Sequence, residues 1–75
     1  MRNKIEKDIA DKIYNSILEY LKGKKMSVRE LSVFLEIPYT TLFTWLETLQ
    51  KGKCISIKNI LFLEEKLGIK IIFFD

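Results

Sequence analysis

Between Lys4 and Lys22 apolar side chains recur every fourth residue, at Ile5, Ile9, Ile13, Ile17 and Leu21, with Ala10, Tyr14 and Leu18 beside them. At 3.6 residues per turn this spacing gathers them on one stripe, so the segment is predicted to be an amphipathic helix. Gly23 is the expected left-handed terminator, and Lys22, Lys24 and Lys25 fall where the helix dipole is negative.

The next apolar group is shorter and carries its own start signal. Ser27 stands three residues before Glu30, the spacing at which hydroxyl and carboxylate satisfy each other's backbone amides, so a second helix is expected over Val28 to Leu35. Pro38 pushes Ile37 into an extended conformation and suits a first helical position, which starts a third helix at Pro38 and carries it to about Leu49. Lys51-Gly52-Lys53 reads as a loop. Ser56 then caps a fourth helix bearing Ile57, Ile60, Leu61, Leu63 and Leu67, which Gly68 stops. The β-branched and aromatic run Ile69-Lys70-Ile71-Ile72-Phe73-Phe74 is too short for a helix and reads as a strand over 69–74.

The predicted fold is therefore all-α, four helices with a short C-terminal β-strand, in a single domain over residues 1–75. With 75 residues, 48% of them hydrophobic, there is room for one core. A chain of this size buries roughly 60% of its unfolded surface, so association is an expected source of stability. Cys54 is the single cysteine and no histidine is present. A disulfide framework is thereby excluded, and a zinc site has no ligand set. The charged N-terminus lacks the apolar run of a signal peptide or membrane span, so a cytoplasmic location without a membrane partner is expected. The net charge of +3 is concentrated: residues 22–58 hold seven bases and three acids, and the remainder is slightly acidic. A positive central segment points to a polyanionic partner or to a merely solvated surface.

Two short helices joined through Glu36-Ile37 must cross steeply, leaving one end of the second projecting, as a helix-turn-helix over 27–49 requires. Leu31, Leu35, Ile37, Leu42 and Trp45 supply its apolar positions, with small Ser32 where the helices approach. In this pattern, Ser27-Val28-Arg29-Glu30-Leu31-Ser32, Ile37-Pro38-Tyr39-Thr40-Thr41-Leu42 with Trp45-Leu46, and Ser56-Ile57-Lys58-Asn59-Ile60 through Leu67-Gly68-Ile69, the chain resembles the phage repressor and Cro-like helix-turn-helix family, also called the xenobiotic-response-element family. The resemblance covers roughly residues 13–69. Two positions depart from it: Glu36 stands where the family usually has glycine in the turn, and Phe43 where it usually has a polar residue. A left-handed glutamate costs about 1 kcal/mol unless the turn is shaped differently.

The resemblance implies binding of double-stranded DNA, with the third helix in the major groove. If Leu42, Trp45, Leu46 and Leu49 face the core, Tyr39, Thr40, Phe43, Thr44 and Glu47 face outward as base-reading candidates. Threonine hydroxyls can bond bases or phosphates, Phe43 can meet a thymine methyl, and Glu47 can accept from a cytosine amino group; the lack of an arginine for guanine favours A·T-rich sites. Phosphate contacts are expected from Lys24, Lys25, Arg29, Lys51, Lys53 and Lys58 and from the amide ends at Ser27 and Ser56. The alternatives are that Tyr39 and Phe43 serve a protein interface, that Glu47 pairs with Lys51, and that the lysines are surface residues. Trp45 is read as a packing residue and Cys54 as a buried or idle thiol.

The strand offers a dimer interface through Ile69, Ile71, Ile72, Phe73 and Phe74, pairing antiparallel with its copy and matching a palindromic site. The alternative is a tail folded on its own bundle. A small regulator of transcription, a repressor by occlusion, is the expected function. The rivals are a DNA-binding antitoxin with a toxin partner, or a protein-interaction module that keeps the fold. With no nucleophile–base pair, phosphate loop or metal cluster, neither catalysis nor a cofactor nor a small-molecule substrate is expected.

Overall fold

The computed structural model describes residues 2–68, with side chains from residue 4 onward. Among the described residues the protein is all-α, with α1 (Arg2–Lys24), α2 (Val28–Leu35), α3 (Tyr39–Gln50) and α4 (Ile57–Leu67). The expected strand at 69–74 lies outside the described residues.

One core joins the four helices. Ala10, Ile13, Ile17 and Leu21 of α1 meet Leu31 and Leu35 of α2, Leu42, Leu46 and Leu49 of α3, and Ile60, Leu63 and Leu67 of α4, all buried. The third helix lies at the centre, packed on both α1 and α2. Among the described residues Ser32 is the buried polar one, and its Oγ donates to the Arg29 carbonyl at 2.6 Å, which offsets the cost of burying a hydroxyl.

The local signals at helix starts act as expected. Ser27 and Glu30 form the full capping box: the Glu30 amide donates to Ser27 Oγ at 3.1 Å and the Ser27 amide to Glu30 Oε1 at 2.8 Å. Ser56 Oγ accepts from the Asn59 amide, and Gly68 closes α4 in the left-handed region at φ 67°.

Two boundaries differ from expectation. Pro38 is not the first residue of α3 but its N-cap, extended at ψ 143°, with its carbonyl accepting from the Thr41 and Leu42 amides. The α1 helix is longer than Lys4 to Lys22 and passes straight through Gly23; Lys25 takes the left-handed conformation instead, at φ 54°. The closing bonds explain why. The Met26 amide donates to the Leu21 carbonyl at 2.9 Å and the Lys25 amide to that of Lys22 at 3.2 Å, the Schellman pattern. This pattern sets an apolar pair, Leu21 and Met26, at the helix end against the core. Ending at Gly23 would have paired Glu19 with Lys24 and buried nothing.

The α2–α3 connection closes in the same way, through Glu36 to Val33 and Ile37 to Ser32 backbone bonds. Glu36 is left-handed at φ 60°. The turn therefore keeps the shape that favours glycine and carries the steric cost of a Cβ. Glu36→Gly is expected to raise the unfolding free energy by about 0.5–1 kcal/mol, the relief of strain exceeding the extra freedom of the unfolded chain. Thermal denaturation of the two proteins checks it, and an unchanged or lowered midpoint would contradict the strain.

Several apolar residues lie beyond the reach of the core. Ile5 (67% exposed) and Ile9 (41%) begin the α1 stripe, and Ile57 and Leu61 on α4 are also exposed. The connection from α3 to α4 nevertheless touches the early turns of α1. A Cβ at Gly52, which is left-handed at φ 83°, would stand 3.2 Å from the Lys7 side chain. The Cys54 amide donates to Glu6 Oε2 at 3.1 Å, and Cys54 Sγ lies 3.6 Å from the Glu6 carbonyl that accepts its hydrogen.

Candidate nucleic-acid interface

Packing decides which side of α3 faces outward. Leu42, Leu46 and Leu49 turn inward, and Trp45 is half-buried with its ring edge-on to Phe62 at 6.3 Å between centroids. Their burial leaves Thr40, Phe43, Thr44 and Glu47 exposed on one side, with Tyr39 half-buried at its N-terminal edge. Four of the five base-reading candidates thus share an open face, and Tyr39 has a second role.

That role links α2 to α3. The Arg29 guanidinium lies over the Tyr39 ring, 4.4 Å from its centroid, and the Tyr39 and Phe43 rings stack at 6.0 Å with 28° between their planes. Cation, phenol and phenyl form a ladder across the helix crossing. Sequence reading placed Arg29 among the phosphate contacts and did not link it to Tyr39, because no periodicity relates residues on either side of a turn. Stacking engages the face of the guanidinium, and its N–H donors lie in the plane.

The two amide ends are not equivalent. At the start of α2 the Glu30 carboxylate already occupies the Ser27 amide and adds negative charge. The start of α4 has Lys58 and no acid in its first turn, so its dipole and side-chain charge act together on an anion. Lys58 and Asn59 also line, with Ile37, Trp45 and Phe62, a shallow cleft of about 250 Å³, which sets this helix end beside the α2–α3 turn. Lys22 and Lys25 lie beside Ser27 and Glu30 around a second, open groove. Lys24, Lys25, Arg29, Lys51, Lys53 and Lys58 are all exposed, and Lys24 additionally covers the Tyr20 ring at 5.8 Å. Glu47 makes no ion pair with Lys51 among the described residues.

The sequence pattern did not single out Val33 (73% exposed) and Phe34 (48%), which give α2 an open apolar edge. Their positions next to the buried Ser32 and Leu35 were the available signal: on so short a helix, a stripe of Leu31, Ser32 and Leu35 leaves 33 and 34 outside.

Cys54 is half-buried rather than idle on the surface. Burial, and then the nearby Glu6 carboxylate, push its thiol above the ordinary cysteine range. The folded state holds the proton more tightly than the unfolded state. Its contribution to stability is therefore complete below the unfolded value and lost as pH rises through the folded one. At pH 8 iodoacetamide is expected to alkylate the native protein more slowly than the urea-unfolded chain, with Glu6→Gln narrowing the gap. Equal rates would contradict the assignment.

No helix of the described residues is long and apolar enough to cross a membrane. No protein-family model, curated protein or solved structure matches the chain.

Proposed function

We propose that this protein binds double-stranded DNA as a small transcriptional regulator, a cytoplasmic repressor acting by occlusion, with α2, the Glu36–Ile37–Pro38 turn and α3 as a Cro-like helix-turn-helix. The observation that carries this reading is the division of α3: leucines anchor one side in the core while Thr40, Phe43, Thr44 and Glu47 stand exposed together on the other. A rigidly held helix with an open polar and aromatic face is what insertion into a major groove needs. Exposed Lys25, Lys51, Lys53 and Lys58 supply phosphate neutralisation. The active form is a homodimer paired through residues 69–74, which spaces two recognition helices on a palindromic site.

Fluorescence-anisotropy titration with the upstream DNA of its own gene and with random duplex, at two salt concentrations, tests the reading. Salt-weakened binding that prefers the upstream duplex supports it, and no binding to either at low salt overturns it. A chain ending at Gly68 is expected to run as a monomer; an unchanged solution mass would remove the strand from the interface.

A second reading, a protein-interaction module or an antitoxin with a toxin partner, is favoured by the exposed apolar side chains Val33, Phe34 and Phe43. An adjacent reading frame of toxin size would favour the antitoxin form.

A further inference from the structure

We infer that the exposed face of α3 reads the C5-methyl group of pyrimidines, with Phe43 as the contacting residue and Tyr39 and Arg29 as the residues that position it. This inference rests on the DNA-binding reading above and names what that face recognises.

In the N-terminal part of the face, the part of a recognition helix that meets base edges, the exposed side chains are Thr40, Phe43, Thr44 and Glu47; Gln50 and Lys51 stand exposed at its C-terminal end. None of the four is a cation or an amide, so this part of the face offers neither the bidentate donor that grips guanine O6 and N7 nor the amide that pairs with adenine N6 and N7. Glu47 is acceptor-only and repels those same guanine acceptors. The largest group on the face is the Phe43 ring, 49% exposed and without hydrogen-bonding atoms. Among the four bases, the apolar feature in the major groove is the thymine methyl.

The ring is also held in place. Phe43 lies one helical turn from Tyr39, whose ring stacks on it at 6.0 Å, and Tyr39 is held by Arg29 at 4.4 Å. Ordering Phe43 before binding lowers the entropy that a methyl contact must overcome. A pre-set apolar ring recognises the methyl itself, whichever pyrimidine carries it. Thymine and 5-methylcytosine then offer the same methyl contact at that position, and uracil and cytosine lack it.

The test begins with selection of bound duplexes from a random 20-bp library at low salt. The selected duplex is resynthesised with deoxyuridine in place of each thymidine, and with 5-methylcytosine at the most sensitive position. Loss of a contacted methyl is expected to weaken binding about fourfold. With guanine opposite, the 5-methylcytosine duplex is expected to bind about fourfold more tightly than the same duplex with unmethylated cytosine. Phe43→Ala binds the thymine and uracil duplexes equally, Tyr39→Ala narrows their ratio, and Tyr39→Phe keeps it. A uracil duplex bound as tightly as the thymine duplex overturns the inference and leaves DNA binding intact. So does a Phe43→Ala protein that keeps the wild-type ratio. Failure to select any duplex overturns the DNA reading and this inference together.

Discussion

Leu42→Ala is expected to remove about 2–5 kcal/mol of folding stability, while substitution of the adjacent residue, Phe43→Ala, costs under about 1 kcal/mol. The two differ because the helix period sends them to opposite environments. Leu42 is fully buried in the core, on the helix that packs on both α1 and α2. Shortening its side chain leaves a cavity that three helices cannot all collapse into. A chain of 75 residues has on the order of 4–11 kcal/mol in total, so Leu42→Ala loses a large part of it. The midpoint of thermal denaturation should fall by roughly 10 °C or more. Phe43 is about half exposed and loses little beyond its stack on Tyr39. A large destabilisation by Phe43→Ala would mean that this ring belongs to the fold and not to a recognition face.

Replacing Lys51, Lys53 and Lys58 together by glutamine is expected to flatten the salt dependence of duplex binding by about 2.7 in the log–log slope, about 0.9 for each lost phosphate contact. All three are exposed, and none makes an ion pair with another described residue, so the fold should change by no more than about 0.5 kcal/mol. Lys66→Gln serves as the comparison. It removes the same charge at the far end of α4 from Lys58, about 12 Å along the axis, where the dipole no longer favours an anion. Its slope is expected to stay near the wild-type value. A triple variant with an unchanged slope would move the phosphate contacts elsewhere on the molecule.

What was legible in the sequence is what local chemistry decides. Ser27 with Glu30, Ser56 and Gly68 mark their helix ends because each cap is settled within a few residues, and the structure places all of them as expected. Gly23 misled for the complementary reason. The end of α1 is set by burial of Met26 and Leu21, a tertiary gain large enough to leave glycine inside the helix and put Lys25 in the left-handed region. Periodicity likewise found the stripe of α1, yet Ile5 and Ile9 show that it tells which residues share a face and not how far a partner extends along it. In the candidate site, spacing alone predicts Tyr39, Thr40, Phe43, Thr44 and Glu47 as the outward set, and four of these are exposed while Tyr39 is half-buried. The Arg29–Tyr39–Phe43 ladder does not follow from spacing, because it depends on the angle at which two helices cross.

On the DNA-binding reading, the open face of α3 is the surface that meets the duplex. Amide chemical-shift mapping of the labelled protein, titrated with duplex DNA at low salt, tests it most directly. The largest shifts are expected at residues 39–47 and at the start of α4 around Ile57 and Lys58, with little change along the outer face of α1. Shifts centred on Val33 and Phe34, or no shifts at all, would contradict it.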